Sequence, residues 1–235
     1  MIVDLSHLDT LPGPGEPPAP QRKTLSMDAI TTALQPILIP AFTLWDAPFT
    51  WLELIAFVLS IAMVFANMRV MPVAWPLAIV ASLLYFGLFW SGKLYGDASL
   101  QIFFAVVGAW GWWQWLRGSD EGVPLVVRHL STAQRLPVIA TGFVLWPAIG
   151  WFLDTYTDTD VPYWDAFPTA FSLIGQWLLG RKYVENWPTW IVVNVVSVAL
   201  FAYKGYYLTV LLYTIFIVLS VVGWKAWRQQ VSQPG

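Results

Sequence analysis

The sequence predicts an all-α integral membrane protein. Seven transmembrane helices are expected, as two parallel three-helix repeats plus a linker helix. Three observations predict this. Of the 235 residues, 57% are hydrophobic and 11% charged, against about 25% charged in ordinary soluble domains. No Asp, Glu, Lys or Arg occurs from Leu54 to Met68, Val70 to Gly92, Ala98 to Leu116, Leu136 to Leu153, Ala166 to Gly180, Asn186 to Tyr203 or Gly205 to Trp224. Each stretch is near the roughly 17–25 residues a helix needs to cross hydrocarbon, where the backbone must satisfy its own hydrogen bonds. Finally, the chain repeats itself. An offset of 112 carries Glu53 onto Asp165, Arg69 onto Arg181, Trp75-Pro76 onto Trp187-Pro188, Tyr95 onto Tyr207, Gly111-Trp112 onto Gly223-Trp224 and Trp115 onto Trp227. A gapless offset over so long a stretch means two halves with one fold, and in a membrane protein it points toward a transporter.

Taken in order, residues 1–25 hold Pro12, Pro14, Pro17, Pro18 and Pro20 and read as a disordered tail. Asp4 and Asp9 stand where a signal peptide would be basic. Residues 26–48 are apolar but short and interrupted by Pro36 and Pro40, which predicts an interfacial or re-entrant helix. Spans are expected at 51–68, 72–91, 99–117, 136–153, 164–180, 187–203 and 207–225. Pro72, Pro76 and Pro188 fall in or near first turns, where a missing N–H costs least. The first repeat occupies 51–117 and the second 161–228, with a linker helix and its loops in 118–160 and a short tail in 229–235. Three spans reverse the direction of a chain. The single linker span restores it, so the two copies run the same way.

Lys and Arg set the orientation. Arg69, Arg117, Arg128, Arg135, Arg181, Lys182, Lys225 and Arg228 share one side, whereas Lys93 and Lys204 lie on the other. That bias places the C-terminus in the cytoplasm, and the loop with Asp154, Asp158, Asp160 and Asp165 outside.

Absences exclude several functions. There is no cysteine, and His7 and His129 lie outside the apolar segments. Disulfides, Cys-ligated metals and His-based catalysis within the membrane lose their material. A formal charge of −2 does not suit a nucleic-acid partner. No acid lies deep in a span to relay protons or sodium, and no base lies there to neutralise a phosphate. The ligand implied is small, neutral or cationic, and rich in hydroxyl or amide groups.

Residues able to meet such a ligand lie on two helix faces. Trp187, Trp190, Asn194, Ser197 and Phe201 follow helical spacing on the sixth span. An Asn in hydrocarbon must meet another helix, water or a ligand. Gln101, Phe104, Gly108, Trp112 and Trp115 make a similar face on the third span, where part of the face is packing. Tyr85 and Tyr213 lie deeper than the other tyrosines and could line a cavity, although interfacial anchoring is the commoner role of Tyr and Trp.

These motifs are familiar as a set. Trp187-x-x-Trp190-x-x-x-Asn194 resembles the sixth-span motif of PnuC-type nicotinamide riboside transporters. Gln101-x-x-Phe104-x-x-x-Gly108-x-Trp110-Gly111-Trp112-x-x-Trp115 resembles their third-span motif, with Phe104 where Tyr is expected. Glu185-Asn186-Trp187 and Tyr203-Lys204-Gly205-x-Tyr207-Leu208-Thr209 extend the likeness, which covers about 51–228. The resemblance implies a homotrimer in a bacterial inner membrane, with no cofactor and no enzymatic activity. It implies facilitated diffusion of nicotinamide riboside, a vitamin B3, with intracellular phosphorylation trapping the product. It also carries Gln101, Trp187, Trp190 and Asn194 over as binding candidates. Related families carry thiamine or riboflavin. A membrane enzyme acting on lipid is the other class, and its only candidate acids are Asp154, Asp158, Asp160 and Asp165.

Overall fold

The computed structural model describes residues 32, 35–44, 47–91, 95–118, 125–157, 159–205 and 207–232. The expected disordered tail lies outside the described residues, as do Lys93 and Asp158. From residue 51 onward, seven helices follow in order among the described residues: α1 Trp51–Met68, α2 Ala74–Ser91, α3 Tyr95–Arg117, α4 Thr132–Tyr156, α5 Pro162–Gly180, α6 Asn186–Tyr203 and α7 Tyr207–Ser232. By length and composition α1, α4, α6 and α7 are long and apolar enough to cross a membrane. The less apolar α3 and α5 carry glycines packed on rings of neighbouring helices, Gly111 on Trp75 and Gly175 on Trp190.

Local chemistry fixes the helix ends. Thr50 and Glu53 form a capping box at α1: the Glu53 N–H donates to Thr50 Oγ1 (3.2 Å) and the Thr50 N–H to Glu53 Oε2 (2.7 Å). Linker helix α4 starts earlier than the apolar run suggests, because Gln134 Oε1 accepts from the Ser131 N–H (3.1 Å). It also continues through Pro137 and Pro147, with Thr141 Oγ1 donating to the Pro137 carbonyl. Helix α7 runs on to Ser232 because no breaker precedes Pro234.

The expected helix over 26–48 is corrected from residue 35 onward; Thr32, the one described residue of that segment before it, is helical. Gln35–Ile37 form one 3-10 turn, and β1 (Pro40–Leu44) pairs antiparallel with β2 (Ala47–Thr50). Pro36, Pro40 and Pro48 remove helical donors and bias their predecessors to extended backbone. Phe42 and Phe49 then stack across the ribbon at 5.2 Å.

The repeat is reproduced in detail. Trp75 in α2 packs on Gly111 in α3, and Trp187 in α6 packs on Gly223 in α7. Trp75 meets Trp115 edge-on at 5.5 Å, and Trp187 meets Trp227 edge-on at 5.6 Å. Trp115 Nε1 donates to the Leu179 carbonyl of α5 (3.2 Å); Trp227 Nε1 donates to the Asn67 carbonyl of α1 (3.0 Å). Each bond is the other moved by 112 residues, so each copy ties its last helix to the first helix of the other. The C-terminal ends of α1, α3, α5 and α7 therefore meet at one end, and the copies run the same way. Even the turns agree. Val70 (φ 57°) and Lys182 (φ 56°), again 112 apart, are the two non-glycine residues with left-handed backbone among those described.

Helix packing follows the same pseudo-two-fold. Helices α1–α2–α3 and α5–α6–α7 form the two bundles, joined by α1 against α7 and α3 against α5. Linker α4 packs along α5. Its lipid-ward side is apolar and exposed, as at Leu136, Val144 and Trp151.

Candidate functional site

The end where the copies meet is an aromatic plug. Met68, Trp75, Trp115, Leu179, Val184, Trp187 and Trp227 form one buried cluster there. The basic residues gather around it. Lys182 Nζ lies 4.7 Å from the Trp115 ring centroid and donates to the Leu125 carbonyl (2.8 Å). Burial lowers the Lys182 pKa from its ordinary 10.5. The loop carrying Arg128 pairs with Tyr183, which fastens the chain before α4 to the turn before α6.

Depth can be measured from this plug at about 1.5 Å per helical residue. Trp187 is in the plug, and Trp190 lies about 5 Å above it. Asn194 comes at about 10 Å, Ser197 at about 15 Å and Phe201 at about 21 Å. Residues 187, 190, 194, 197 and 201 share the face of α6 turned toward the other helices. Asn194 and Ser197 are 3% and 1% exposed. Among the described residues neither side chain has a hydrogen-bond partner, so two buried polar groups remain available to a third party. On the same face, Trp190 packs its indole against Gly175 of α5.

The other candidates lie at matching depth on neighbouring helices of the bundle. Phe201 stacks on Tyr213 of α7 (5.3 Å, 22°), and Tyr213 meets Phe216 edge-on. Tyr85 lies on α2 about 15 Å above the plug, counted from Trp75. Gln101 and Phe104 lie on the α3 face that also carries Gly108 and Gly111. They are half-buried and related by 112 to Tyr213 and Phe216. Trp187 is placed differently from the rest. It is 2% exposed, wedged between Gly223 and Trp227, and its counterpart Trp75 packs in the same way.

Sequence reasoning missed a second polar face. Asp165, Thr169, Ser172 and Gln176 of α5 follow each other by four, three and four residues. Ser172 is buried, and the Gln176 carbonyl oxygen is buried without a partner among the described residues. The matching Ser60 of α1 is also buried, its hydroxyl donating to the Ala56 carbonyl (2.8 Å). Ser60 and Ser172 differ by 112, so the repeat offset was the signal that could have found them. Above this layer Lys204 Nζ pairs with both oxygens of Asp165 (2.7 and 2.9 Å), closing α5 onto the end of α6.

Chemically, the arrangement is a ring-lined polar interior without a described cation in its middle depth. It can stack a flat ring on Trp or Tyr and read hydroxyl or amide groups. It offers no group of three or more metal-ligating residues among those described.

Comparison with known proteins agrees with this architecture. Residues 50–229 match the sequence profile of a family described as nicotinamide mononucleotide transporter. The riboflavin/roseoflavin transporter RibM of Streptomyces davaonensis is 29% identical over 193 residues, covering 80% of this chain and 89% of RibM. The nicotinamide riboside transporter PnuC of Escherichia coli is 27% identical over 173 residues, covering 63% of this chain and 72% of PnuC. A crystal structure of the vitamin B3 transporter PnuC superposes with a TM-score of 0.66 at 21% identity, covering 88% of this chain and 90% of that one. The last likeness bears on the fold.

Proposed function

Since this chain belongs to the nicotinamide mononucleotide transporter family, we propose that it carries nicotinamide riboside across a bacterial cell membrane by facilitated diffusion. Phosphorylation inside the cell then withdraws the product and sets the direction. The observation that carries the reading is the unpaired Asn194 and Ser197 on a buried face flanked by Trp190, Phe201 and Tyr213. The pyridinium ring suits the aromatic walls, and the carboxamide and ribose hydroxyls suit Asn194, Ser197, Gln101 and Tyr85. Phe104 and Tyr213 complete the walls, and Trp187 closes the floor. The absence of Lys and Arg from the middle of the spans favours the riboside over its phosphorylated form. The positive-inside bias favours a cytoplasmic plug and C-terminus, and the resemblance to PnuC favours a homotrimer.

A specific observation favours a second reading. RibM covers more of this chain, at slightly higher identity, than PnuC does. Riboflavin also presents a flat ring and hydroxyls. Calorimetric titration of the purified protein with nicotinamide riboside, nicotinamide mononucleotide, riboflavin and thiamine separates the readings. Micromolar or tighter binding of the riboside, without binding of the mononucleotide, is expected. Binding of riboflavin alone would replace the proposal with the second reading.

A further inference from the structure

Outside the transport face, a crevice of about 520 Å³ opens between α4 and the outer sides of α5, α6 and α7. It exists because α4 packs along α5 and stands off from α6 and α7. Its walls are apolar along Ile139, Phe171 and Ile174, and its mouth carries Arg135, Arg228, His129 and Glu185. Pro188 and Thr189, which line it, lie on the face of α6 opposite Asn194 and Ser197, so the crevice is separate from the proposed path.

The charges at the mouth are unequal. Glu185 is already occupied: Oε2 accepts the Leu130 N–H (3.0 Å), Oε1 lies 3.1 Å from His129 Nδ1, and Arg135 approaches at 3.6 Å. Arg228 lies over the Trp224 ring (5.6 Å) and has no carboxylate within 4.0 Å among the described residues. Two arginines therefore face one acid, which several donors share, at the rim of an apolar slot. This is the basic end of the bundle, at the level where lipid headgroups meet the helices.

We propose that this crevice binds an anionic phospholipid, with the phosphate held by Arg135 and Arg228 and an acyl chain laid along Ile139, Phe171 and Ile174. Arginine forks match phosphate oxygens. A phospholipid matches both halves of the site, its anionic headgroup against the two arginines at the mouth and an acyl chain against the apolar walls. The site serves as a hinge stay: a lipid seated there couples the otherwise single-sided linker α4 to α6 and α7.

Native mass spectrometry of the protein released from bilayers of phosphatidylglycerol or phosphatidylcholine tests this. Wild type should retain phosphatidylglycerol in preference, by about fivefold for each arginine. Arg135→Gln with Arg228→Gln should abolish the preference, and Arg228→Lys should keep most of it. Ile139→Trp, which fills the slot and leaves the charges, should reduce retention of phosphatidylglycerol. Equal retention of both lipids by wild type, or an unchanged preference in the double variant, would overturn the site. So would a photo-cross-linker attached at Val138→Cys, a position that lines the crevice, if it captured a second copy of the chain, since a neighbouring protomer would then fill the crevice.

Discussion

Replacing Gly223 by Ala tests the join between the helices of the second repeat. A Cβ there would lie 2.5–2.6 Å from three ring carbons of Trp187, whereas ordinary contact begins at 3.4 Å. The ring would have to retreat by about 1 Å. Trp187 is buried and Trp227 stands edge-on behind it at 5.6 Å, so the retreat displaces a second ring. Overpacking of this kind costs roughly 1–3 kcal/mol. The roughly 1 kcal/mol that Ala gains over Gly in a helix offsets only part of it. A net loss of about 1–2 kcal/mol corresponds to a fall in Tm of roughly 2–8 °C for a chain of this size. Gly111→Ala, its counterpart against Trp75, should behave alike. Gly108→Ala meets only the side chain of Ile79, at 3.0 Å, and should cost less. Thermal unfolding in detergent, followed by tryptophan fluorescence, reads all three. A Tm at or above wild type for both Gly223→Ala and Gly111→Ala would refute the packing argument.

Other perturbations have equally definite outcomes. Trp115→Phe and Trp227→Phe each remove one indole hydrogen bond, of about 0.5–1.5 kcal/mol, together with ring volume. The Leu179 and Asn67 carbonyls still accept from Lys182 and Val70 N–H groups (3.0 Å each), so the two losses of Tm should be similar; a large disparity would break the pseudo-symmetry. Asp165→Asn removes the ion pair with Lys204, partly exposed on both sides. It should cost no more than about 1 kcal/mol, and Lys204→Met should then add little in the double variant. Lys182 binds its proton less readily when folded than when unfolded. The resulting destabilisation is full below its lowered folded pKa and is relieved as pH rises toward 10.5. Wild type should therefore gain stability relative to Lys182→Met over that alkaline window, and a flat difference would contradict the burial of the ammonium.

The order and approximate positions of the spans were legible because charge-free runs and the offset of 112 are properties of sequence alone. Ends set by side-chain caps were less so. The Gln134 bond that starts α4 adds four residues to the span expected at 136–153. The segment before α1 misled because its apolar content resembles a helix, while its prolines favour a ribbon closed by Phe42 and Phe49. At the site, spacing placed Asn194, Ser197 and Phe201 on one inward face. Spacing could not separate Trp187, which packs on Gly223, from Trp190 above it. That distinction needed the partner helix, although the pair Trp75 and Gly111 in the other copy carried the hint. Ser172 and Gln176 were missed because a lone Ser or Gln in an apolar run has no direction until its helix has neighbours. Glu185 appeared only as part of a motif. Its grip on Leu130 and His129 joins segments 55 and 56 residues apart, beyond any local pattern.

Calorimetry with nicotinamide riboside on wild type, Asn194→Ala and Val192→Ala tests the transport path most directly. Asn194 faces inward, whereas Val192 is 48% exposed on the opposite side of the same helix. Loss of a hydrogen bond to a buried amide, worth about 1.5 kcal/mol, predicts roughly tenfold weaker binding for Asn194→Ala. Val192→Ala should match wild type. Unchanged affinity in Asn194→Ala, or an equal loss in Val192→Ala, would contradict a riboside bound against the inner face of α6.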